Sequence, residues 1–400
     1  MVTPKGWESR PIGDFLEFKN GLNKGKEYFG YGTPIVNYMD VYRHRGLHAS
    51  DIQGRVSLER EEVRRFAVKK GDVFFTRTSE TPDEVGISSV LLDDLIDGVF
   101  SGFVLRGRLK STKLLPDYCK YCFSTQAVRE AIVKSCTYTT RALTNGRVLS
   151  NIEVLLPSTI EQNRIVSTLD DIELLIATLE EAVSKKRSMR EGIAQSLLTG
   201  TMRLPDYGGG WKRIELQEAL AFCTATIPTE NIDVNDYVDT ENMLKDRGGV
   251  VVNTKPLSYA KVCEYLSGDI LVSNIRPYLK KIWFAVHNGG CSSDVLVLRS
   301  IDAERYDPAY CFLLLARDDF FSYAANNSSG TKMPRGDKDA IKRYLLRVPE
   351  SIDEQRAIAE VLMTADLEIN NLEHKLEKYK QIRQGMMREL LTGRIRLVQE

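Results

Sequence analysis

Residues 161–200 read EQNRIVSTLDDIELLIATLEEAVSKKRSMREGIAQSLLTG, and residues 354–393 repeat the pattern as EQRAIAEVLMTADLEINNLEHKLEKYKQIRQGMMRELLTG. The two stretches align without a gap at an offset of 193, and with four further residues included (161–204 against 354–397) 17 of 44 aligned positions are identical. The segments that precede them, 7–157 and 211–349, show little likeness to each other. Two copies at so long a period indicate a pseudo-twofold duplication of one variable and one conserved part, not a solenoid.

Each conserved stretch has the ends and the spacing of one long helix. A serine stands three residues before a glutamate at the start of each copy (Ser158 and Ser351), which predicts a capping box. Gly200 and Gly393 follow the last apolar residues and predict left-handed C-terminal caps. Apolar residues alternate at spacings of four and three, the pattern of a coiled-coil seam. The predicted seam consists of Ile165, Leu169, Ile172, Ile176, Leu179, Ile358, Leu362, Ile369, Leu372 and Leu376.

The second helix is the nearest partner for the seam of the first. A helix of about 40 residues is about 60 Å long at about 1.5 Å per residue, and its apolar seam needs a partner along that length. Only residues 201–210 lie between the first helix and the next domain, so the second helix must run back along the first. We predict an antiparallel coiled coil that holds two globular domains apart, with the tail 394–400 close to Trp7. The alternative is that each helix packs only on the core of its own domain.

The variable segments have the composition of mixed α/β (α+β) domains. Short β-branched runs predict strands, and longer amphipathic runs predict helices over 116–135 and 308–326. The predicted strands are 33–39, 72–76, 87–92, 99–105, 250–253, 269–273, 282–286 and 294–298. The predicted division of the chain is a first domain over 1–157, a first spacer helix over 158–200, a second domain over 201–349, and a second spacer helix with the tail over 350–400.

Composition restricts the class of protein. The chain has 400 residues, 42% of them hydrophobic, with 55 Lys and Arg against 55 Asp and Glu, which argues against a polybasic or strongly acidic tail. The sequence has no run of 18 apolar residues, which argues against a membrane span. It has no apolar stretch at its start, which argues against secretion. Seven scattered cysteines predict reduced thiols. We therefore expect a soluble cytoplasmic protein.

The sequence carries no recognisable catalytic motif. Residues 21–27 lack the spacing and the final Ser or Thr of a phosphate-binding loop. Cys119 and Cys122 could form a zinc site with His44 and His48, but no second close pair supports it, so we interpret the two cysteines as core residues. The whole chain has four histidines, so few imidazole side chains are present that could act as a general base.

Polar loop residues of the variable domains instead predict contacts with DNA. Arg and Asn side chains recognise guanine and adenine edges, and Lys, Ser and Thr contact phosphates. The predicted DNA-binding residues are Arg77, Thr78, Arg141, Arg147, Asn274, Arg276, Tyr278, Lys280, Lys281, Lys332 and Arg335. For any single one of them the alternative is a solvated loop residue. Residues 159–199 carry a net charge of −2 and residues 350–392 a net charge of −3, so the remainder of this neutral chain carries +5, the sign that a DNA-binding surface needs.

The duplicated layout resembles the specificity (S) subunit of type I restriction–modification enzymes. The paired arrangement carries the resemblance over essentially the whole chain, and no single motif is diagnostic. TYTT at 137–140 departs from the pattern that SSGT at 328–331 follows. The remaining residues of the resemblance are PSTIEQ at 157–162, PESIDEQ at 349–355, LLTG at 197–200 and 390–393 with their Arg-x-Leu tails, the Gly-Trp pairs at 6–7 and 210–211, GDILVSNIRPY at 268–278, CSSDVLVL at 291–298, and VFSGFVL at 99–105.

The resemblance implies that each variable domain is a target-recognition domain for one half of a bipartite site in double-stranded DNA, with the helix pair setting the gap. It implies two DNA adenine methyltransferase (M) subunits docked on the helices, and restriction (R) subunits as further partners. S-adenosylmethionine would belong to the M subunits, and ATP with Mg²⁺ to the R subunits, so this chain would hold no cofactor, no metal and no catalytic site. Two alternatives remain: an S subunit of a related restriction–methylation system outside type I, and a coiled-coil adaptor with two protein-binding domains.

Overall fold

The computed structural model describes residues 3–138, 140–257 and 259–397. The chain divides into two compact units, of which unit 1 comprises 1–181 with 374–400 and unit 2 comprises 182–373. Each unit combines strands and helices, so the predicted α/β class is confirmed. Thr139, in the predicted Thr-rich loop of the first domain, and the last three residues of the predicted tail lie outside the described residues.

Unit 1 contains the first variable domain and the first part of a 41-residue helix. Its strands are β1 (Glu8–Pro11), β2 (Leu16–Asn20), β3 (Phe29–Val36), β4 (Gly46–Leu47), β5 (Arg55–Val56), β6 (Val73–Thr76), β7 (Thr78–Ser79), β8 (Ser88–Leu91), β9 (Val99–Phe100), β10 (Val104–Leu109), β11 (Thr137–Tyr138), β12 (Ala142–Leu143) and β13 (Glu153–Leu156). Its helices are α1 (Tyr38–Arg43), α2 (Arg60–Phe66), α3 (Cys119–Cys122), α4 (Gln126–Ser135), α5 (Gly146–Ser150) and the long α6 (Thr159–Thr199), which continues into unit 2. The main sheet has the order β2-β10-β6-β8-β4 and packs on α3 and α4 through a core that includes Phe75, Tyr118 and Ile132.

Unit 2 contains the second variable domain on the same plan. Its strands are β14 (Trp211–Glu215), β15 (Leu220–Phe222), β16 (Thr226–Pro228), β17 (Tyr237–Val238), β18 (Lys261–Tyr265), β19 (Ile270–Ser273), β20 (Ile282–Phe284), β21 (Gly289–Cys291), β22 (Val295–Ser300), β23 (Ser328–Ser329), β24 (Arg335–Gly336) and β25 (Leu345–Pro349). Its helices are α7 (Leu216–Ala219), α8 (Pro308–Leu315), α9 (Asp318–Asn326), α10 (Lys338–Lys342) and the long α11 (Ile352–Leu390), which continues into unit 1. The main sheet has the order β15-β22-β19-β20. In each unit the first strand of the domain pairs antiparallel with the strand that leads into the long helix, β1 with β13 and β14 with β25.

The long helices run antiparallel within each unit. In unit 1 the early part of α6 meets the late part of α11, where Arg383 donates to Glu173 at 3.0 Å. In unit 2 the late part of α6 meets the early part of α11, where Arg190 donates to Asp366 at 2.7 Å. The predicted antiparallel pairing is therefore confirmed, and packing of each helix on its own core alone is excluded. Eight of the ten predicted seam residues are buried, and Leu372 and Leu376 are half-buried.

In each predicted capping box, the hydrogen bond to the serine is present and the hydrogen bond to the glutamate carboxylate is absent. Ser158 Oγ accepts from the backbone N–H of Glu161 at 3.3 Å, and Ser351 Oγ accepts from Glu354 at 3.4 Å. The glutamate carboxylates do not return to the serine backbone, because each is buried and bound to a distant arginine. The predicted left-handed glycine caps are confirmed, with φ of 69° at Gly200 and 68° at Gly393.

Both predicted domain helices are interrupted, and one predicted strand is absent. Thr125 accepts from the N–H of Val128 and begins α4 as a new N-cap, which separates α4 from α3. In unit 2 the chain likewise breaks between α8 and α9. Residues 250–253 form no strand, because only Val250 pairs, in an isolated bridge with Met243. Apolar periodicity does not detect such side-chain caps within a continuous hydrophobic segment.

Candidate nucleic-acid interface

Three segments of unit 1 meet at the end of β6. The backbone N–H of Arg77 donates to the carbonyl of Phe103 at 3.0 Å, and the N–H of Thr144 donates to the carbonyl of Arg77 at 3.0 Å. Thr78 pairs with Leu143 in the β7–β12 ladder. Two loops that the sequence predicted separately therefore lie side by side. We call residues 76–79, 101–104 and 142–145 junction 1.

Unit 2 has the same arrangement at the end of β19. The N–H of Asn274 donates to the carbonyl of Asp294 at 2.8 Å, and the N–H of Gly336 donates to the carbonyl of Asn274 at 3.0 Å. Ile275 bridges Arg335 as Thr78 pairs with Leu143. We call residues 273–276, 292–295 and 334–337 junction 2. The repeated hydrogen bonds establish which positions of the two junctions are equivalent.

The equivalent positions carry different side chains. Arg77 corresponds to Asn274, Phe103 to Asp294, and Leu143 to Arg335. A guanidinium recognises guanine O6 and N7, whereas an amide recognises adenine N6 and N7. The two junctions therefore share one backbone framework and carry two different sets of polar and apolar side chains.

The predicted residues of unit 1 lie in junction 1 or next to it. Arg77 is half-buried, and its guanidinium donates to the carbonyl of Gly102 at 3.4 Å. Thr78 is half-buried in β7, and Arg141 is exposed directly before β12. Arg147 is exposed on α5, which follows the last segment of the junction. The structure thus brings all four predicted residues to one region of unit 1.

Junction 2 holds buried polar atoms that have no partner among the described residues. They are Oδ1 of Asn274, a side chain that is 8% exposed, and Nε of Arg276. A buried donor or acceptor left unpaired costs about 1–3 kcal/mol, which a bound ligand can recover. Arg276 also adopts a left-handed backbone with φ of 50°, a conformation that non-glycine residues adopt rarely and that clusters at functional sites. Tyr278 follows in the same turn and is 56% exposed.

Two of the predicted residues, Lys280 and Lys281, bind other residues of unit 2 and so stabilise the turn that contains them. Lys280 Nζ binds Asp318 Oδ1 at 2.8 Å, and Arg247 binds the same carboxylate. These hydrogen bonds, that of Lys280 first, lower the pKa of Asp318. Lys281 Nζ donates to the carbonyl of Thr240 at 2.6 Å, and burial lowers the pKa of its ammonium group. Both lysines are less available to phosphates than their sequence position indicates.

The two remaining predicted residues of unit 2, Lys332 and Arg335, differ in whether a neighbouring side chain binds them. Lys332 is exposed between β23 and β24. Arg335 has a side chain that is 60% exposed, and its Nη2 binds Asp294 Oδ1 at 2.5 Å. A carboxylate that holds one edge of a guanidinium restricts its rotamers and leaves the other edge for a ligand. Asp294, which the sequence analysis did not single out, therefore positions Arg335.

The repeated Glu-Gln pair attaches each domain to its helix. Gln162 is buried, its Oε1 accepts from the N–H of Leu115 at 2.9 Å, and its Nε2 donates to the carbonyls of Lys113 and Pro157 at 2.7 and 2.9 Å. Gln355 repeats this pattern in unit 2 with the N–H of Asp307 and the carbonyls of Arg305 and Pro349. The sequence analysis treated these residues only as part of a helix start, because the loop partners lie almost 50 positions away.

The preceding glutamates bind the tail of the opposite conserved copy. Glu161 accepts from Arg396 at 2.7 and 2.9 Å and from the indole N–H of Trp7 at 3.0 Å. Glu354 accepts from Arg203 at 2.5 and 2.7 Å. The prediction that the C-terminal tail lies close to Trp7 is confirmed for the described part of the tail.

The structure supports the interpretation of Cys119 and Cys122 as core residues. Both are buried in the core of unit 1, while His44 and His48 form hydrogen bonds with Asp40 and with Asp93. All seven cysteines are free thiols. Among residues 3–138, 140–257 and 259–397, no three His, Cys, Asp or Glu side chains cluster in a way that could hold a metal ion. No helix in that part of the chain is long and apolar enough to cross a membrane.

Comparisons with known proteins agree in sequence and in fold. The family described as "Type I restriction modification DNA specificity domain" matches residues 4–186. The MjaVIII specificity subunit of a type I restriction enzyme from Methanocaldococcus jannaschii is 22% identical over 431 aligned positions, covering 99% of this chain and 95% of the relative. The crystal structure of a type I S subunit from M. genitalium matches with a TM-score of 0.61 at 15% identity, covering 98% of this chain and 97% of that one. A chain from a study of assembly and conformational transition in the type I system matches with a TM-score of 0.54 at 14% identity, covering 99% and 100%.

Proposed function

We propose that this chain is a specificity subunit of a type I restriction–modification system and that it selects a bipartite DNA site through its two junctions. The family model over residues 4–186 and the similarity to specificity subunits along the chain support this proposal. The observation that carries the proposal is the pair of junctions itself. Their backbone hydrogen bonds are the same, and their side chains differ where a base could be recognised. Each junction would recognise one half-site, and the two half-sites would differ in sequence because the side chains do.

The chemistry of the complex would lie in other subunits. Two DNA adenine methyltransferase (M) subunits would bring S-adenosylmethionine and act on an adenine flipped out of the duplex. Restriction (R) subunits would bring ATP and Mg²⁺. The conserved long helices would dock the M subunits, and the assembled complex would act in the cytoplasm. The similarity to this family supports assembly with DNA and with other subunits.

The junction residues differ in the role that their geometry supports. Arg77 and Asn274 occupy equivalent positions between two loop segments and are our candidates for direct base contacts. Arg276 and Arg335 supply guanidinium groups at junction 2, and Tyr278 supplies an exposed ring. The half-buried Thr78 and the exposed Arg141, Arg147 and Lys332 suit phosphate contacts, which fix the register of a domain on the duplex.

Arg335→Ala is expected to cost about 1–3 kcal/mol at a single base pair of the second half-site, since one guanidinium supplies one base contact. Binding of the subunit complex to duplexes that differ at single positions would measure this change. Lys342→Ala, on α10 outside the junction, is the matched control and should leave discrimination unchanged. A uniform loss of affinity over all sequences would mean that Arg335 contacts phosphate only.

The helix pair would set the number of base pairs between the half-sites. Removing seven residues from each helix at equivalent positions (177–183 and 370–376) shortens both by about 10 Å, which corresponds to about three base pairs at about 3.4 Å each. We expect methylation mapping to show both half-sites unchanged and a gap shorter by about three base pairs. Deletion from α6 alone, which makes the helices unequal, should abolish methylation. An unchanged gap after the double deletion would contradict the role of the helices.

A further inference from the structure

Residues 28–32 of unit 1 expose three aromatic rings within four positions. Tyr28 is 40% exposed, Phe29 38% and Tyr31 59%. Single exposed apolar side chains are normal, whereas a contiguous group of them marks an interaction site. The sequence analysis considered the preceding residues 21–27 only as a possible phosphate-binding loop and found no match. We call residues 28–32 the aromatic bulge.

The backbone of the aromatic bulge is shaped to present Tyr31. Phe29 and Thr33 both pair with Val56 of β5, so the three residues between them loop out of the strand. Gly30 and Gly32 flank the tyrosine with φ of 108° and 92°, a region in which other residues are strained. A side chain on Gly32 would also place its Cβ 2.7 Å from the carbonyl oxygen of Val56. Bulges that re-aim a side chain in this way are frequent beside functional sites.

The chain that leads into the aromatic bulge is fixed to junction 1. The N–H of Gly102 donates to the carbonyl of Leu22 at 2.7 Å, and the N–H of Leu22 donates to the carbonyl of Phe100 at 2.9 Å. A side chain on Gly21 would place its Cβ 2.1 Å from the carbonyl oxygen of Ser101, so the two segments are in closest contact there. Phe103, which is 60% exposed and whose carbonyl accepts from Arg77, is a further exposed ring in junction 1.

Charge favours DNA as the ligand of this surface. The first variable segment, 7–157, has 22 Lys and Arg against 19 Asp and Glu, a net charge of +3, whereas 211–349 has 18 of each. Lys24 lies with its Nζ 4.6 Å from the centre of the Tyr28 ring and is paired with Glu62 at 2.8 Å, whereas Lys26 is exposed beside the ring. Rings interleaved with cations suit a nucleic acid, because the rings contact bases or sugars and the cations contact phosphates.

We propose that the aromatic bulge is a second DNA-contacting element of the first domain, in which the ring of Tyr31 packs against a base of the first half-site. The inference rests on the proposed function and adds to it a contact of a different kind. Ring packing does not identify a base by hydrogen bonds. It makes binding depend on how easily a base step unstacks, so the first half-site would be selected in part by its deformability.

The test uses the full chain with its methyltransferase partners and a duplex that carries the motif methylated by the wild-type complex. A 2-aminopurine probe, placed in the first half-site away from the methylated adenine, reports unstacking by its fluorescence. We expect Tyr31→Ala to weaken binding about 10-fold or more and to remove the fluorescence change of the wild type. Tyr31→Phe should retain both. Ile96→Ala, in the same unit and 85% exposed, is the matched control.

Two results would overturn the inference while leaving the proposed function standing. One is binding by Tyr31→Ala within twofold of Ile96→Ala, with the wild-type fluorescence change retained. The other is unchanged DNA affinity combined with loss of methyltransferase from the purified complex, which would make the aromatic bulge a protein interface. A wild-type complex that selects no DNA sequence would overturn the proposed function, and this inference with it.

Discussion

Replacement of Arg396 by Met is expected to lower the free energy of unfolding of unit 1 by about 3–5 kcal/mol. Arg396 binds both carboxylate oxygens of Glu161, at 2.7 and 2.9 Å, and Glu161 is fully buried. Without the guanidinium, the indole N–H of Trp7 would be the side-chain donor left to this buried negative charge among the described residues. Removing one partner of a buried ion pair costs far more than breaking a surface pair, because the other charge stays desolvated. Denaturant unfolding, followed by the fluorescence of the tryptophans, would measure the loss.

Two variants separate this contact from a general effect of the tail. Arg394→Met is the matched control, since Arg394 is 67% exposed and lies 3.6 Å from Glu389, and the expected change is below about 0.5 kcal/mol. The double variant Glu161→Gln with Arg396→Met should recover a large part of the lost stability, because the uncompensated charge is gone. A single Arg396→Met variant as stable as the control would contradict the role of Arg396 as the partner of a buried charge.

Replacement of residues 211–349 by a second copy of 7–157 is expected to convert the target into an inverted repeat of the first half-site. Both domains join their helices through the same strand pairing and the same buried glutamine contacts, so the graft keeps these two attachments. The two helices run in opposite directions within each unit, and we expect two identical domains to recognise the same half-site on opposite strands of the duplex. The second half-site should be lost completely.

Methylation mapping with the intact methyltransferase would measure the outcome of this exchange. The reciprocal graft, with 211–349 at both positions, is the control and should give an inverted repeat of the second half-site. A direct repeat, or a target that still contains both original halves, would contradict the assignment of one half-site to each domain.

The duplication and the long helices could be predicted from the sequence because they depend on local patterns. Heptad spacing and terminal glycines identify α6 and α11, and a linker as short as 201–210 fixes their direction. The partners of Glu161 could not be predicted, because Arg396 lies 235 positions away and the carboxylate has an obvious local alternative in the capping box. Burial of Glu161 favours the bond to Arg396 over the local capping box, and burial is a property of the folded chain.

The candidate interface was predictable only in outline. Arg77 and Asn274 stand out as polar residues after apolar strands, yet their equivalence rests on backbone hydrogen bonds that residue identity does not reveal. Lys280 and Lys281 are the residue type that contacts phosphates, but a carboxylate of α9 holds the first and the carbonyl of Thr240 holds the second. The aromatic bulge lies just before the predicted strand 33–39, and only the register of β3 with β5 shows that its residues loop out.

The most direct test of the account is the methylome of the host with the intact gene and with the gene inactivated. The account predicts one methylated motif that depends on the gene and consists of two different short sequences at a fixed spacing. A gene-dependent motif that is continuous, or the same set of methylated motifs with and without the gene, would contradict recognition of two half-sites by the two junctions.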